Sequence, residues 1–326
     1  AGALPHRVRA GGPARPGASY LFPSCLRSPH IYHDIVILSY WSVRVTDNSQ
    51  KIFLISGVSS GLGRAFAEGA LKAGHRVIGT VRRQEDAIAF ASLAPDRASP
   101  LLLDVTDFAS IPSAVAAAEH DVGPVDVLVN NAGYGHEGVL EESSMDDLQR
   151  QFAANVFGPV AMMQAVLPGM RKRRRGHIVN VTSMGGFITM PGISFYCGSK
   201  FALEGISEAL GKEVAAFGIK VTTLAPGQFR TDWAGRSMDR TPRIIADYDA
   251  LMNPIRAARQ AQSGSQPNDP AKAAQALLAI VEEQNPPVRL LLGEDALALV
   301  DQKLDDLKAE ITQWGALSRS TAFDAY

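Results

Sequence analysis

The chain is 326 residues long, 46% hydrophobic, and carries 32 Lys plus Arg against 33 Asp plus Glu. That length and apolar content can fill a sizeable core, while a formal net charge of −1 gives no basis for a nucleic-acid partner. Its two cysteines, Cys25 and Cys197, build no disulfide framework and fit a reducing, cytoplasmic compartment.

Residues 1–50 differ in character from the rest. Pro5, Pro13, Pro16, Pro23 and Pro29 are interspersed with Arg7, Arg9, Arg15 and Arg27, and no acid precedes Asp34. Such a stretch buries too little apolar surface to order itself. Its prolines and glycines break the amphipathic helix that an organellar transit peptide needs. The apolar run at 35–38 is too short to span a bilayer. The expectation is a disordered or non-native leader, followed by one folded domain over 51–326.

From Lys51 onward, short apolar runs alternate with helical stretches. Strands are expected at 52–55, 77–80, 101–103, 125–129, 176–181 and 220–224, with an edge strand at 288–292. Helices fill the gaps, notably 64–73, 145–170 and 196–217, and a helical tail ends the chain. Alternation of this kind predicts an α/β fold: a doubly wound parallel sheet of about seven strands in three layers, Rossmann-type.

The first strand runs into Ser56-Gly57-Val58-Ser59-Ser60-Gly61-Leu62-Gly63. Glycines at this spacing let backbone approach a pyrophosphate, and the helix that follows offers free N–H groups and a positive dipole end. A tight turn is the alternative for a glycine turn taken alone. After the second strand stand Arg82 and Arg83, with no acid before Glu85. A carboxylate there would grip a bare ribose, whereas a guanidinium suits a 2′-phosphate. The reading is NADP(H) rather than NAD(H), with Arg82 as the contact; a solvated basic turn is the alternative.

Tyr196 and Lys200 stand four residues apart and share one helix face. An ammonium beside a phenol favours the phenolate, so the tyrosine can exchange a proton with an alcohol or carbonyl oxygen. Ser183 ends the fifth strand, placed to hold that same oxygen. No metal is expected.

By these motifs residues 51 to about 287 resemble the short-chain dehydrogenase/reductase family. Ser56 stands where the family usually has threonine. Asn131, Ala132 and Gly133 match its motif after the fourth strand, and Asp104 with Val105 falls where the family contacts adenine. Asn155 matches the helix asparagine that holds a relay water. Pro226, Gly227, Phe229 and Thr231 match the nicotinamide-carboxamide motif. The resemblance implies an oxidoreductase in which Tyr196 exchanges the proton, Lys200 lowers its pKa and binds the nicotinamide ribose, Ser183 polarises the carbonyl, and Asn155 links Lys200 to solvent. The segment Gly74–Arg83 and the long tail look most like the 17β-hydroxysteroid-dehydrogenase-like branch.

It further implies a substrate lid over 229–262. Tyr134, His136, Met184, Met190 and Phe195 suggest a roomy apolar pocket for a carbonyl or secondary-alcohol substrate, with His136 at its rim. Helices 145–170 and 196–217 would pair two copies into a homodimer or homotetramer, without membrane or nucleic acid as partner. Arg171–Arg175 is read as a solvated helix end. A catalytically silent nucleotide sensor would lack Tyr196 or Lys200, and an epimerase- or dehydratase-type relative would need a longer C-terminal substrate domain.

Overall fold

The computed structural model describes residues 50–323, so the expected leader and Cys25 lie outside the described residues. In the first half β1 (Ile52–Ile55), α1 (Gly61–Lys72), β2 (Arg76–Val81), α2 (Gln84–Ala91), β3 (Ala98–Leu102), α3 (Ile111–Val122) and β4 (Val127–Asn130) alternate along the chain. The pattern continues with β5 (Gly135–Glu137), α4 (Met145–Phe152), α5 (Gly158–Arg173), β6 (Gly176–Val181), α6 (Ser194–Val214) and β7 (Ile219–Pro226). Last come β8 (Met238–Arg240), α7 (Asp249–Ala261), α8 (Pro270–Glu282), β9 (Arg289–Leu292) and α9 (Glu294–Arg319).

Seven parallel strands form one sheet in the order β3-β2-β1-β4-β6-β7-β9, as the alternation predicts. Strands run outward in both directions from β1 and β4, so the order reverses between those two. That reversal opens a crevice at their carboxyl ends, where ligands bind in such sheets. Both faces are covered. Phe53 and Ile55 join Phe66, Phe90 and Leu277 in one core, while Leu54 between them joins Ile111, Met162 and Met170 in the other. The alternation is the period-2 pleat of a strand buried on both sides.

The helix expected over 145–170 is interrupted. A π-helical turn, Ala153–Phe157, separates α4 from α5, and Gly158 N–H donates to the Ala153 carbonyl five residues back. The span Met145–Arg173 is long and apolar enough to cross a membrane. Its apolar side chains Met162, Met163, Val166 and Met170 are instead packed into the second core.

The basic run after it is used as a helix end. Arg173 Nη2 donates to the Val125 carbonyl at 2.6 Å and Arg174 Nη2 to the Ala216 carbonyl at 2.5 Å. Arg174 itself is left-handed (φ 56°), and its guanidinium lies over Phe217.

Leu128 sits in central strand β4 with no exposed surface. Leu128→Ala should therefore cost about 2–5 kcal/mol through lost burial and the cavity left behind. Urea unfolding is expected to show a lower midpoint with an unchanged slope.

Candidate active site

The turn after β1 is held from the side by the loop after β4. Ser56 Oγ accepts from the backbone N–H of Asn131 (3.0 Å) and of Ala132 (2.9 Å). Asn131 Nδ2 returns two bonds, to the carbonyls of Ser56 (3.0 Å) and Gly57 (3.2 Å). Thr80 Oγ1, on β2, accepts from Gly57 N–H at 3.0 Å. Gly57 and Gly61 take φ of +74° and +60°, a region side-chain-bearing residues rarely adopt. At Gly63 a Cβ would lie 2.2 Å from the Gly57 carbonyl oxygen and 2.3 Å from Asn131 Nδ2, so only glycine fits.

Ser60 precedes α1 in an extended conformation and makes no side-chain cap. The first N–H groups of α1 are thus left for another acceptor, beside the exposed Ser59 and the partly exposed Leu62. Donors without an acceptor at a positive helix end fit the anionic diphosphate of a dinucleotide. Thr231 closes over this turn, with its Cβ 3.8 Å from where a Cβ on Gly61 would be.

Beside the turn, β6 and α6 bring three expected residues together. Ser183 follows β6, where its Oγ accepts from Gly185 N–H at 3.0 Å and shares a hydrogen bond with the Tyr196 phenol. A Cβ on Gly185 would lie 3.3 Å from Tyr196 Cε1 and 3.4 Å from Ser183 Oγ. Lys200, one turn after Tyr196 on α6, donates from Nζ to the Val181 carbonyl at 2.9 Å, 5.8 Å from the centre of the tyrosine ring. Burial lowers its ammonium pKa to about 8, partly offset by the charge of Glu204.

For the phenol the expected lowering is outweighed. Burial pushes the Tyr196 pKa up, and the bond to Ser183 offsets only part of that rise. Lys200 Nζ donates to a backbone carbonyl, and no hydrogen bond joins it to the phenol oxygen among the described residues.

Asn155 lies in the π-helical turn. Its Oδ1 accepts from Tyr134 N–H (3.2 Å), while Nδ2 donates to the Tyr134 carbonyl (3.1 Å) and to Ser199 Oγ (3.0 Å). Ser199 Oγ in turn donates to the Tyr196 carbonyl at 2.7 Å. The side chain expected to hold a water thus fastens α6 to the loop after β4.

The other expected residues surround the same crevice. Gly133 packs so closely on Asn155 that a Cβ would lie 2.8 Å from Oδ1. Asp104 Oδ1 accepts from Thr106 N–H and Oγ1, and Val105 is buried against Gly158. Pro226 ends β7, Gly227 N–H donates to the Leu292 carbonyl at 2.8 Å, and Phe229 is buried in the first core. Arg82 is exposed and makes no salt bridge or hydrogen bond among the described residues. Arg83 is tied to Asp86 at 2.8 Å and Glu85 at 2.6 Å.

The lid is structured. Its strand β8 pairs in parallel with β5, and α7 follows. Trp233 packs on Tyr196 with ring centres 5.0 Å apart, together with Met190, Ile193 and Cys197. His136, expected at the rim, is buried instead. It stacks on Phe195 and shares a 2.9 Å hydrogen bond with Thr241 Oγ1, because β5 is covered by β8. Glu137 beside it accepts from Arg240 and Arg259 at 2.7 Å each, with Arg256 3.6 Å away.

Sequence reasoning missed Ser199 and Glu204. Both follow Tyr196 at helical spacing, 199 being one turn on and 204 one turn beyond Lys200. A polar residue on the buried stripe of a core helix was the available signal.

The family described as short chain dehydrogenase matches residues 51–241. Oxidoreductase BOA17 of Botryotinia fuckeliana is 40% identical over 273 residues, 83% of this chain and 99% of that one. The 3-ketodihydrosphingosine reductase of Bacteroides thetaiotaomicron is 38% identical, over 74% of this chain and 88% of its own length. Among solved structures, a short-chain dehydrogenase from Streptomyces avermitilis superposes with a TM-score of 0.78 at 42% identity, over 84% of this chain and 99% of that one. A relative from Burkholderia phymatum in complex with NAD (TM-score 0.71, 25% identity) covers 82% of this chain and 97% of its own. ElxO with NADP bound (TM-score 0.64, 26% identity) covers 77% and 100%. With the fold, the glycine turn and the Ser-Tyr-Lys cluster all in place, the chain belongs to the short-chain dehydrogenase/reductase family and is an oxidoreductase of that type.

Proposed function

We propose that the chain reduces a carbonyl compound, or oxidises the matching secondary alcohol, with NADP(H) as hydride carrier and a largely apolar substrate. The observation that carries this reading is the gathering of Ser183, Tyr196 and Lys200 at the carboxyl end of β6, beside the glycine turn at the sheet's switch point. The bound nicotinamide supplies or takes the hydride. Ser56, Gly57, the α1 N–H groups and Asn131 would hold its diphosphate side, with Asp104 and Val105 at the adenine and Pro226, Gly227, Phe229 and Thr231 toward the carboxamide.

Tyr196 then donates its phenolic proton to the carbonyl oxygen in reduction, or accepts the alcohol proton in oxidation. Ser183 Oγ donates to the same oxygen and biases the proton transfer. Lys200, with its pKa lowered to about 8, is poised to carry protons near neutral pH and to grip the nicotinamide ribose. Asn155 fixes α6 through Ser199, which keeps Tyr196 in register with the substrate.

Two observations support NADP(H). Arg82 lacks a protein partner among the described residues at the end of β2, where a 2′-phosphate would lie. Asp86 is held below its usual pKa first by its bond to Arg83, and the charges of Arg236 and Arg82 also reach it, so the acid nearest Arg82 is already engaged by a cation. An apolar substrate is supported by Trp233, Met190 and Ile193 around Tyr196, and a carbonyl substrate by a relative named 3-ketodihydrosphingosine reductase. Placement in the 17β-hydroxysteroid-dehydrogenase-like branch rests on the segment Gly74–Arg83 and the long helix α9. A homo-oligomer built on α4–α5 and α6 is supported by Phe157 and Phe201, both exposed there. Cytoplasmic residence rests on cysteine usage alone.

Tyr196→Phe should lower turnover about 10²–10⁴-fold while NADPH binding, followed by nicotinamide fluorescence, stays within a few-fold. Retention of a tenth of wild-type turnover would overturn the assignment. Arg82→Asp should weaken NADPH binding roughly ten- to a hundred-fold and favour NADH, since it removes a charge-assisted bond and adds a repulsive charge. An unchanged NADPH affinity would make Arg82 a solvated turn residue. Light scattering at micromolar concentration should show a dimer or tetramer; a monomer mass would contradict the pairing of α5 and α6.

A further inference from the structure

The last helix of the chain reaches back to the loop that would face the nicotinamide. Asp295 is the second residue of α9, and its Oδ2 accepts from Gln228 N–H at 2.7 Å. Its Oδ1 accepts from Asn268 Nδ2 at 2.8 Å, and the same amide donates to the Gln228 carbonyl at 2.9 Å. Backbone bonds continue the hold. Gly227 N–H donates to the Leu292 carbonyl at 2.8 Å, and Arg230 N–H donates to the Asn268 carbonyl at 2.9 Å.

Glycines make room for the carboxylate on two sides. A Cβ on Gly227 would lie 2.4 Å from Asp295 Oδ1, and one on Gly293 would lie 2.5 Å from it. The carboxylate thus occupies a seat that glycine at both positions leaves open, against the backbone that runs from Pro226 to Thr231. Asn268, Leu292 and Asp295 all lie beyond residues 51–241, the part of the chain that matches the family.

We propose that Asp295 is a positioning residue for the nicotinamide half of the cofactor: through Gln228 and Asn268 its carboxylate fixes the course of the loop 226–231. The inference rests on the cofactor placement proposed above, in which that loop lies toward the carboxamide. A loop ordered before its ligand arrives loses less conformational freedom on binding, and affinity rises accordingly. A hydrogen bond to an ionised acceptor is among the stronger ones available for this. Ala296 and Val300 of α9 pack on Met184 and Ile188, just after Ser183. The first turns of α9 therefore touch both the cofactor loop and the segment that follows the serine. An acid in the first turn of a helix also favours that helix through its dipole, wherever its side chain points. Glu294, the exposed acid beside Asp295 in the same turn, separates the two effects.

The test measures, by isothermal titration calorimetry, the binding of NADPH and of adenosine 2′,5′-bisphosphate, which carries the adenine half alone. Wild type, Asp295→Ala, Asp295→Asn and Glu294→Ala are compared; if the wild type prefers NADH, the pair is NADH and AMP. Asp295→Ala should weaken the dinucleotide roughly five- to fifty-fold and leave the adenine fragment within about two-fold of wild type. Asp295→Asn keeps an acceptor for Gln228 N–H and should fall between the two, while Glu294→Ala should bind both ligands as wild type does. Equal weakening of dinucleotide and fragment in Asp295→Ala overturns the inference, because general loss of structure would act on both. Dinucleotide affinity unchanged in Asp295→Ala, or lost equally in Glu294→Ala, also overturns it. If Asp295→Ala does not fold, Asn268→Ala, which removes the second link to Gln228, decides by the same comparison. No turnover is measured, so a failure to reduce carbonyl compounds would sink the proposed reaction and leave this result standing. A wild type that binds neither dinucleotide overturns both.

Discussion

One run of hydrogen bonds joins the two halves of the site, and the rest of the arrangement depends on it. Ser56 Oγ holds the backbone of Asn131 and Ala132, and Asn131 Nδ2 holds the carbonyls of Ser56 and Gly57. Two residues further on, Tyr134 is gripped through its N–H and carbonyl by Asn155, whose Nδ2 also reaches Ser199. Ser199 closes the run on the Tyr196 carbonyl. The turn that fits a diphosphate is thus linked to the backbone of the tyrosine by side chains that are themselves mostly buried. Such bonds are worth about 0.5–1.5 kcal/mol each when intact, and leaving a buried partner unsatisfied costs about 1–3 kcal/mol. A fully satisfied network of this kind specifies one geometry. The π-helical turn follows from the same requirement, since π-bulges inside helices often accompany a functional side chain.

The lid is held by a different principle. Glu137 is buried under Arg240, Arg256 and Arg259, and Glu142 accepts from the N–H groups of Ile244 and Ile245 and from Arg243. Paired charges of this kind add little net stability once desolvation is counted, but loss of one partner is strongly unfavourable. Their effect is to fix where the lid meets β5. Trp233 is thereby set on Tyr196, so the lid supplies the apolar wall beside the phenol as well as a cover.

Much of this was legible in the sequence because the signals were local. Apolar runs bounded by turns gave all seven strands of the main sheet, and β1 and β6 match their expected limits. The glycine spacing and the Tyr196–Lys200 interval placed both halves of the site. What escaped depends on contacts between distant segments. His136 reads as a loop residue near a mouth, yet the pairing of β5 with β8, a hundred residues later, buries it. Asn155 sits in an unbroken helical pattern, and periodicity at 3.6 carries no sign of a π turn. The low proton affinity expected for Tyr196 came from spacing alone, whereas burial sets the balance and is invisible before the helix is docked. Glu204 meets its partners Thr223 and Arg289 only once β7 and β9 are laid beside α6.

The central claim is that hydride passes directly between a nicotinamide held at the β1–β4 switch point and a carbon whose oxygen is bonded to Ser183 and Tyr196. Its most direct test uses NADPH deuterated at C4 on both faces, a carbonyl compound that the protein reduces, and mass spectrometry of the alcohol formed. The account predicts one deuterium per product molecule, bound to the former carbonyl carbon and unaffected by whether the solvent is H₂O or D₂O. Product without that deuterium, or with label drawn from solvent, would contradict it.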